Sequence, residues 1–295
     1  MPDRAEGLSM RTHKALSRSA EVPGRALAVL LALSVALGAA FVLAPSRLAA
    51  IGTDGGLSEQ RNLIDALSPA FVKYWRSGDQ GFPPDLQRLV DYWLRFHVIK
   101  AVLAAALLIV FVVLGVLLWK AFLRSSGPGA GGRGLASAAI LVSVLALVSL
   151  VSLMANVQGA MAAFSSATTL LPLGAPSGQL AGAIDQIKQG LAHYPSTSGQ
   201  NAVALKVMVN DFGLYHAVLA VMASIVALVL VGLSVLSWRR FATADRSDRR
   251  TRRTMRSFGV LSALLALTVI VIALANEGTA TDPAPALLGF YKGGL

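Results

Sequence analysis

The sequence predicts an all-α membrane protein of five transmembrane helices, arranged as two duplicated helix–loop–helix units plus one helix, with amphipathic helices in the outer loops. Three observations carry that prediction. Hydrophobic residues make up 55% of the 295 and charged residues 14%, against about 45–50% and about 25% in soluble globular chains, and the mean hydropathy is +0.64. Five apolar stretches have the length that a bilayer demands. The whole net charge of +11 falls on one side of those stretches. Such a composition excludes a cytosolic enzyme, a nucleic-acid-binding domain and a disordered chain. The absence of cysteine excludes disulfides, thiolate metal sites and thiol nucleophiles.

A bilayer core of about 30 Å needs about 20 apolar residues in a helix. The stretches that qualify are Ala26–Ala44, Ala101–Trp119, Leu135–Ala155, Leu214–Trp238 and Phe258–Ala275, and none contains Asp, Glu, Lys or Arg. The first follows a basic segment, as a signal peptide would. Its apolar run is longer than a typical h-region, and no small-x-small site follows it in Ala44-Pro45-Ser46-Arg47-Leu48-Ala49-Ala50, so an uncleaved helix is expected.

Charge sets the orientation. With the N-terminus in the cytoplasm, the inside segments 1–25, 120–134 and 239–256 hold sixteen Lys/Arg and five Asp/Glu. The outside segments hold ten of each. The positive-inside rule therefore places the N-terminus in the cytoplasm and the C-terminus outside. Cytoplasmic pieces are the basic 1–25, a Gly-rich 124–134 and the basic 242–257. The first unit is 26–123 with outer loop 45–97, and the second is 135–241 with outer loop 156–213. The fifth helix is 258–275, and 276–295 is an outer tail.

The two units are recognised by an internal repeat. Phe96-His97, a 21-residue gap and Trp119-Lys120-Ala121-Phe122 recur as Tyr215-His216, the same gap and Trp238-Arg239-Arg240-Phe241. Asp91 falls opposite Asn210 and Trp93 opposite Phe212. Arg133 stands 23 residues before Asn156, and Arg253 stands 23 residues before Asn276. Interfacial anchoring alone would place Trp119, Lys120, Trp238, Arg239 and Arg240 at the membrane surface, but would not place histidine at identical spacing.

The outer loops carry helical stripes. Leu63, Leu67, Phe71 and Tyr74 or Trp75 share one face in the first loop until Gly81-Phe82-Pro83-Pro84 breaks it. Asp85 is then positioned to cap a helix running through Leu89, Trp93 and Phe96 into the bilayer. Leu180, Ile184, Ile187 and Leu191 form the stripe of the second loop, which ends at Pro195. Ser196–Gln200 breaks the chain before the fourth helix. Each loop reads as a helical cap over the bundle.

His97 and His216 are the sharpest pair of polar residues. If the units pack with pseudo-two-fold symmetry, the two imidazoles face each other and could bind a metal or a haem iron. The other reading is two interfacial histidines satisfied by neighbouring polar groups, because two ligands alone make a poor structural metal site. Asn156, Gln158 and Asn276 lie at the same level. They either form a ligand-recognising polar layer under the cap or close the C-termini of their helices, with Gly159 and Gly278 following. The acids Asp54, Glu59, Asp65, Asp79, Asp85 and Asp91 alternate with basic residues and read as a salt-bridged surface. No phosphate loop, HExxH, EF-hand or nucleophile-triad pattern is present.

The run Asp91-Tyr92-Trp93-Leu94-Arg95-Phe96-His97, leading to Trp119-Lys120-Ala121-Phe122 and followed by Ala155-Asn156-Val157-Gln158-Gly159, resembles a group of uncharacterised multi-pass membrane proteins of actinobacteria. That group often carries a default twin-arginine signal label. The resemblance covers nearly the whole chain and implies an actinobacterial plasma membrane, with no reaction and no site residue. No Arg-Arg pair precedes the first apolar segment here, so the label does not transfer.

The expected function is that of a multi-pass plasma-membrane protein without enzymatic activity or cofactor: a subunit, assembly or scaffold component acting through its outer caps. Its expected partners are the lipid bilayer, anionic lipids at the cytoplasmic face, and a membrane protein or a second copy, with no nucleic acid. Small residues such as Ala138, Ala139, Ser143 and Ala146 would allow close helix approach. A transporter or channel component for an uncharged solute or lipid is the second expectation. A bis-histidine metal or haem protein at the outer face is the third.

Overall fold

The computed structural model describes residues 24–53, 56–125 and 130–293. His13 and Asp54 lie outside the described residues, as does nearly all of the basic N-terminal segment. The described chain is all-α: α1 (Gly24–Leu43), α2 (Pro45–Ala49), α3 (Gln60–Ser77), α4 (Pro84–Arg124), α5 (Ala130–Met161), α6 (Ala163–Thr168), α7 (Gly178–Ala192), α8 (Ala202–Thr243), α9 (Arg249–Thr281) and α10 (Pro283–Tyr291). Five of these, α1, α4, α5, α8 and α9, are long and apolar enough to cross a membrane. The protein is a multi-pass membrane protein of the predicted class.

Four of the five are longer than their apolar stretches. Helices α4 and α8 have 41 and 42 residues, about 60 Å at 1.5 Å each, twice the hydrocarbon thickness. Helix α9 runs to Thr281 rather than stopping near Ala275, and α5 runs to Met161. The apolar run ends where lipid ends, but the helix continues because the emerging turns find protein to pack on.

The long helices pack as two antiparallel hairpins, α4 with α5 and α8 with α9. This pairing crosses the short turns, whereas the sequence units were drawn across the long loops. A connection of a few residues forces neighbouring helices together; a loop of about fifty leaves them free to separate. Helix α1 lies along α4, and α5 meets α8 to join the hairpins. Beside larger buried side chains such as Leu107, Leu114 and Val142, many buried positions inside the hairpins are small: Ala101 and Ala104 on α4, Ala139 on α5, Ala220, Ala223 and Ala227 on α8, Ala266 and Ala273 on α9. Apolar burial gains little in lipid, so close backbone approach through such residues is what holds transmembrane helices together. Ala139 is fully buried, while Ala138, Ser143 and Ala146 are half-buried.

The end opposite the turns carries the main hydrophobic core. Helices α3, α6, α7 and α10 fold over the first turns of α4 and α8. Leu63, Leu67, Phe71 and Tyr74 of α3 and Leu180, Ile184, Ile187 and Leu191 of α7 are buried there, as their spacing predicts. Phe164 sits among Phe71, Tyr74 and Phe82, with ring centroids at 6.4, 5.6 and 4.7 Å. Gly78 ends α3 in the left-handed conformation, φ 67°, and a Cβ there would run into the Gln200 carbonyl, so only glycine fits. Asp85 does not cap α4. Pro83 holds the N-cap position with Pro84 behind it, and Asp85 pairs with Lys73 and Arg88 at 3.0 and 2.8 Å on the surface.

Candidate functional site

The polar residues singled out by the sequence gather where the cap meets the bundle. Asn156 lies inside α5 and Asn276 inside α9, each at least a turn before its helix ends; neither closes a C-terminus. Asn156 donates Nδ2 to the Ser152 carbonyl at 2.7 Å, and Asn276 donates to the Ile272 carbonyl at 2.9 Å. With Nδ2 so used, each amide presents Oδ1 to the facing helix. His97 Nδ1 lies 3.0 Å from Asn156 Oδ1, and His216 Nδ1 lies 2.7 Å from Asn276 Oδ1. An amide oxygen only accepts, so in both rings Nδ1 carries the proton and donates.

The first histidine is fully engaged. Trp93 Nε1 donates to Ser166 Oγ at 2.9 Å, and that hydroxyl lies 3.2 Å from His97 Nε2. Because the indole occupies the hydroxyl as acceptor, Ser166 turns its proton to the imidazole. Every donor in the chain Trp93–Ser166–His97–Asn156–Ser152 thus finds an acceptor with His97 neutral. The ring fits only because residue 159 is glycine: a Cβ there would stand 2.7 Å from it.

The second histidine is engaged on one side. Counting 119 residues from Trp93 and 120 from Ser166 leads to Phe212 and Ala286, which supply neither an indole nor a hydroxyl. Phe212 instead sets its ring against His216, with centroids 4.6 Å apart. The two imidazoles do not hydrogen-bond or stack with each other; each serves its own hairpin. Among the described residues no group of three or more His, Asp or Glu is placed to hold a metal ion. His193 uses Nδ1 on the Gln189 carbonyl at 2.9 Å.

Gln158 is buried and donates to the Tyr215 carbonyl at 3.0 Å, bridging α5 to α8 at the level of the histidines. Above it, Asp211 of α8 accepts from the Ser165 backbone N–H at 2.7 Å in the first turn of α6, where a carboxylate also meets the positive end of the helix dipole. Tyr74 donates to the Ala204 carbonyl at 3.4 Å, and Trp75 donates to Gln186 at 2.8 Å. Burial pushes the phenols of Tyr74 and Tyr291 well above the ordinary tyrosine range, which keeps them as neutral hydroxyls. A cleft of about 1000 Å³ opens beside this layer, between Tyr194 and Pro195 after α7, Asn210 and Leu214 of α8, and Asp282 and Leu288 at the α9–α10 junction.

At the turn end, the expected anchors divide. Trp119 is half-buried, donates to Ser143 Oγ at 3.2 Å and sets its edge on Phe258 at 4.8 Å, so it packs inside the bundle. Trp238 is 41% exposed and lies over Gly259. Lys120, Arg239 and Arg240 are exposed. Two residues read from the sequence only as charge turn out to be specific. Arg250 donates to the Phe122 carbonyl at 3.1 Å, to the Ser125 carbonyl and to Ser125 Oγ, closing the C-terminus of α4. Arg252 donates to the Phe241 and Ala244 carbonyls, both at 3.1 Å, closing α8. Each guanidinium also covers a phenylalanine, Phe122 at 4.7 Å and Phe241 at 4.4 Å. A cation at a helix C-terminus satisfies the orphan carbonyls and opposes the dipole.

Comparison with models of known families, with curated proteins and with solved structures gives no match for the chain.

Proposed function

We propose that the protein is a non-catalytic subunit, assembly factor or scaffold of the plasma membrane that works through its helical cap. The supporting observation is the use made of its buried polar groups. His97, Asn156, Gln158, Ser166, Trp93 and Asp211 are spent on bonds between helices; those through Ser165 and Ser166 tie α6 of the cap to α4 and α8. Charge supports a cytoplasmic turn end and an extracytoplasmic cap. In that orientation Lys120, Arg239 and Arg240 meet anionic headgroups, at about 1 kcal/mol per charge. The recurrence of His, Trp and Asn at matched positions supports a duplicated unit made of one hairpin and its flanking cap helices, preceded by α1.

Purification of the tagged full chain from its own membranes in mild detergent tests this reading. A stoichiometric protein partner that is lost when cap surface residues are changed is the expected result. A partner-free protein carrying only a bound lipid or solute would overturn it in favour of a lipid- or solute-handling component, the second reading, which the cleft beside Asn210 and Asp282 supports. A reporter fused after Leu295 should be active only outside the cytoplasm; cytoplasmic activity would reverse the orientation.

A further inference from the structure

The cleft of about 1000 Å³ between the end of α7, α8 and the α9–α10 junction lies where the two halves of the chain differ. Its wall on α8 includes Gly213 and Ala217. The positions 119 residues earlier on α4, in the frame that His97 and His216 define, are Leu94 and Val98. A hydrogen and a methyl stand in place of two branched side chains, which deepens the hollow. The opposite wall carries Asp282. In the frame of Asn156 and Asn276, 120 residues earlier, stands Ala162, fully buried. Asp282 is exposed at the N-cap position of α10, yet its side chain makes no capping bond. The sequence gives the reason. An N-cap carboxylate accepts from the N–H of the second or third helical residue, and the third here is Pro285, which has none. At the matched place in the first half Ser165 does carry an N–H, and Asp211 of α8 takes it. Asp248, at the N-cap of α9, accepts from the Thr251 N–H at 3.0 Å. Asp282 is thus neither buried nor capping, and it has no ion pair among the described residues. No described Lys, Arg or His lines the cleft beside it.

We infer that this cleft is a lipid site, in which Asp282 and Asn210 hold the primary ammonium of an aminophospholipid headgroup. Depth selects an amphiphile. Leu214 and Ala217 belong to the fourth apolar stretch, whereas Tyr194, Asn210 and Asp282 lie beyond the ends of the apolar stretches. The cleft therefore crosses the headgroup level, with an apolar wall on the bilayer side and polar groups on the cap side. Lipid stands at that mouth already, and a free cation would leave the apolar wall bare. Chemistry selects the headgroup. A carboxylate and an amide oxygen accept hydrogen bonds, and an ammonium brings three donors with a positive charge. A quaternary ammonium has no N–H and is held by cages of aromatic faces, of which the described lining offers Tyr194 alone. An anionic headgroup would meet Asp282 with no cation to offset it. The site goes beyond the scaffold reading and does not depend on it; it rests on the bilayer lying along α8 and α9.

Native mass spectrometry of the full chain in mild detergent tests the site, with phosphatidylethanolamine, phosphatidylcholine and phosphatidylglycerol of identical acyl chains as probes. The expected result is a one-to-one ethanolamine-lipid adduct, favoured about tenfold over the other two. Asp282→Asn should abolish that preference with thermal unfolding unchanged, since the Asp282 side chain has no bond to lose. Glu277→Gln, also at the outer end of α9 but outside the cleft, should keep it. No preference in the original chain, a preference that survives Asp282→Asn, or one that both variants abolish would overturn the site. Ala217→Leu, which fills the apolar wall without touching the carboxylate, should weaken the ethanolamine-lipid adduct; unchanged binding would place the lipid elsewhere. A photoreactive side chain in place of Leu214 reads the occupant in the protein's own membranes. Aminolipid adducts are expected, and a protein adduct in their stead would give the cleft to a partner's basic segment and overturn the lipid assignment. Failure on any of these counts leaves the scaffold reading standing, because that reading is decided by the co-purified partner.

Discussion

The hairpin of α4 and α5 and the hairpin of α8 and α9 share a skeleton and differ in how much of it is closed. Both join an imidazole Nδ1 to an asparagine Oδ1 between their helices, and both end the descending helix on an arginine that caps its carbonyls. The first hairpin adds Ser166 and Trp93 to its histidine, a glycine that admits the ring, and α1 along its flank. The second has Phe212 and Ala286 in place of the tryptophan and serine, and no described helix on the corresponding flank. One pattern of residues thus serves as an interior joint in one half and leaves an accessible surface in the other. The difference is one of closure: the first hairpin has the fuller set of internal bonds, and the second keeps more of its surface open.

The largest test of that contrast is a single methyl group. Gly159→Ala would put a Cβ 2.7 Å from the His97 ring, and since the ring is held on both nitrogens it cannot swing aside without breaking a bond. Overpacking of this kind costs about 2–3 kcal/mol. Gly278→Ala, in the second hairpin, meets open space and should be neutral or stabilising by up to about 1 kcal/mol. Thermal unfolding of the two variants in detergent should separate them clearly; equal midpoints would mean that the His97 joint is looser than its geometry.

Removing the histidines should give a smaller effect in the same direction. His97→Ala leaves Asn156 Oδ1 without its donor and the Ser166 hydroxyl without its acceptor, whereas His216→Ala strands only Asn276 Oδ1. Interhelical hydrogen bonds in membranes contribute about 0.6–2 kcal/mol each, so the first variant should lose about twice the stability of the second. Equal losses, measured by the same unfolding, would show that Ser166 and Trp93 contribute nothing.

Much of this architecture is legible in the sequence. Runs of apolar residues without a charge fix the five spans, and stripes such as Leu180, Ile184, Ile187 and Leu191 fix the cap helices, because both signals are local. The matched spacing of the two halves is legible as well, since His97 and His216, or Trp119 and Trp238, can be counted. Which helices touch is not. Similar spacing marks corresponding positions, not neighbours, and dividing the chain at the long loops separates His97 from Asn156. The signal that could have joined them is the distance from histidine to asparagine, 59 residues in one half and 60 in the other. Asn156 is mistaken for a helix end because hydropathy reports where lipid stops rather than where hydrogen bonding stops. Ser166 gives no signal at all, since a serine becomes specific only when folding aims it at an imidazole, and Trp93 signals only an apolar helix position matched to Phe212.

The arginines give the smallest effect and the sharpest division of labour. Arg250 and Arg252 both start from the first turn of α9, yet they reach different hairpins: Arg252 closes α8, its own neighbour, while Arg250 crosses to Phe122 and Ser125 at the end of α4. Charged hydrogen bonds to otherwise unsatisfied carbonyls contribute about 1.5–3 kcal/mol where buried, and at this half-exposed end of the molecule the loss should be nearer 1 kcal/mol for either change to glutamine. The distinction lies in what loosens. Arg252→Gln should speed amide exchange in the last turn of α8 alone. Arg250→Gln should do so in the last turn of α4 and also expose the Trp119–Phe258 contact between the hairpins, raising the accessibility of Trp119 to a soluble quencher. If both variants loosened only their own cap, the hairpins would be held together at the Gln158–Tyr215 level, and the turn end would be free to part while the cap stays closed.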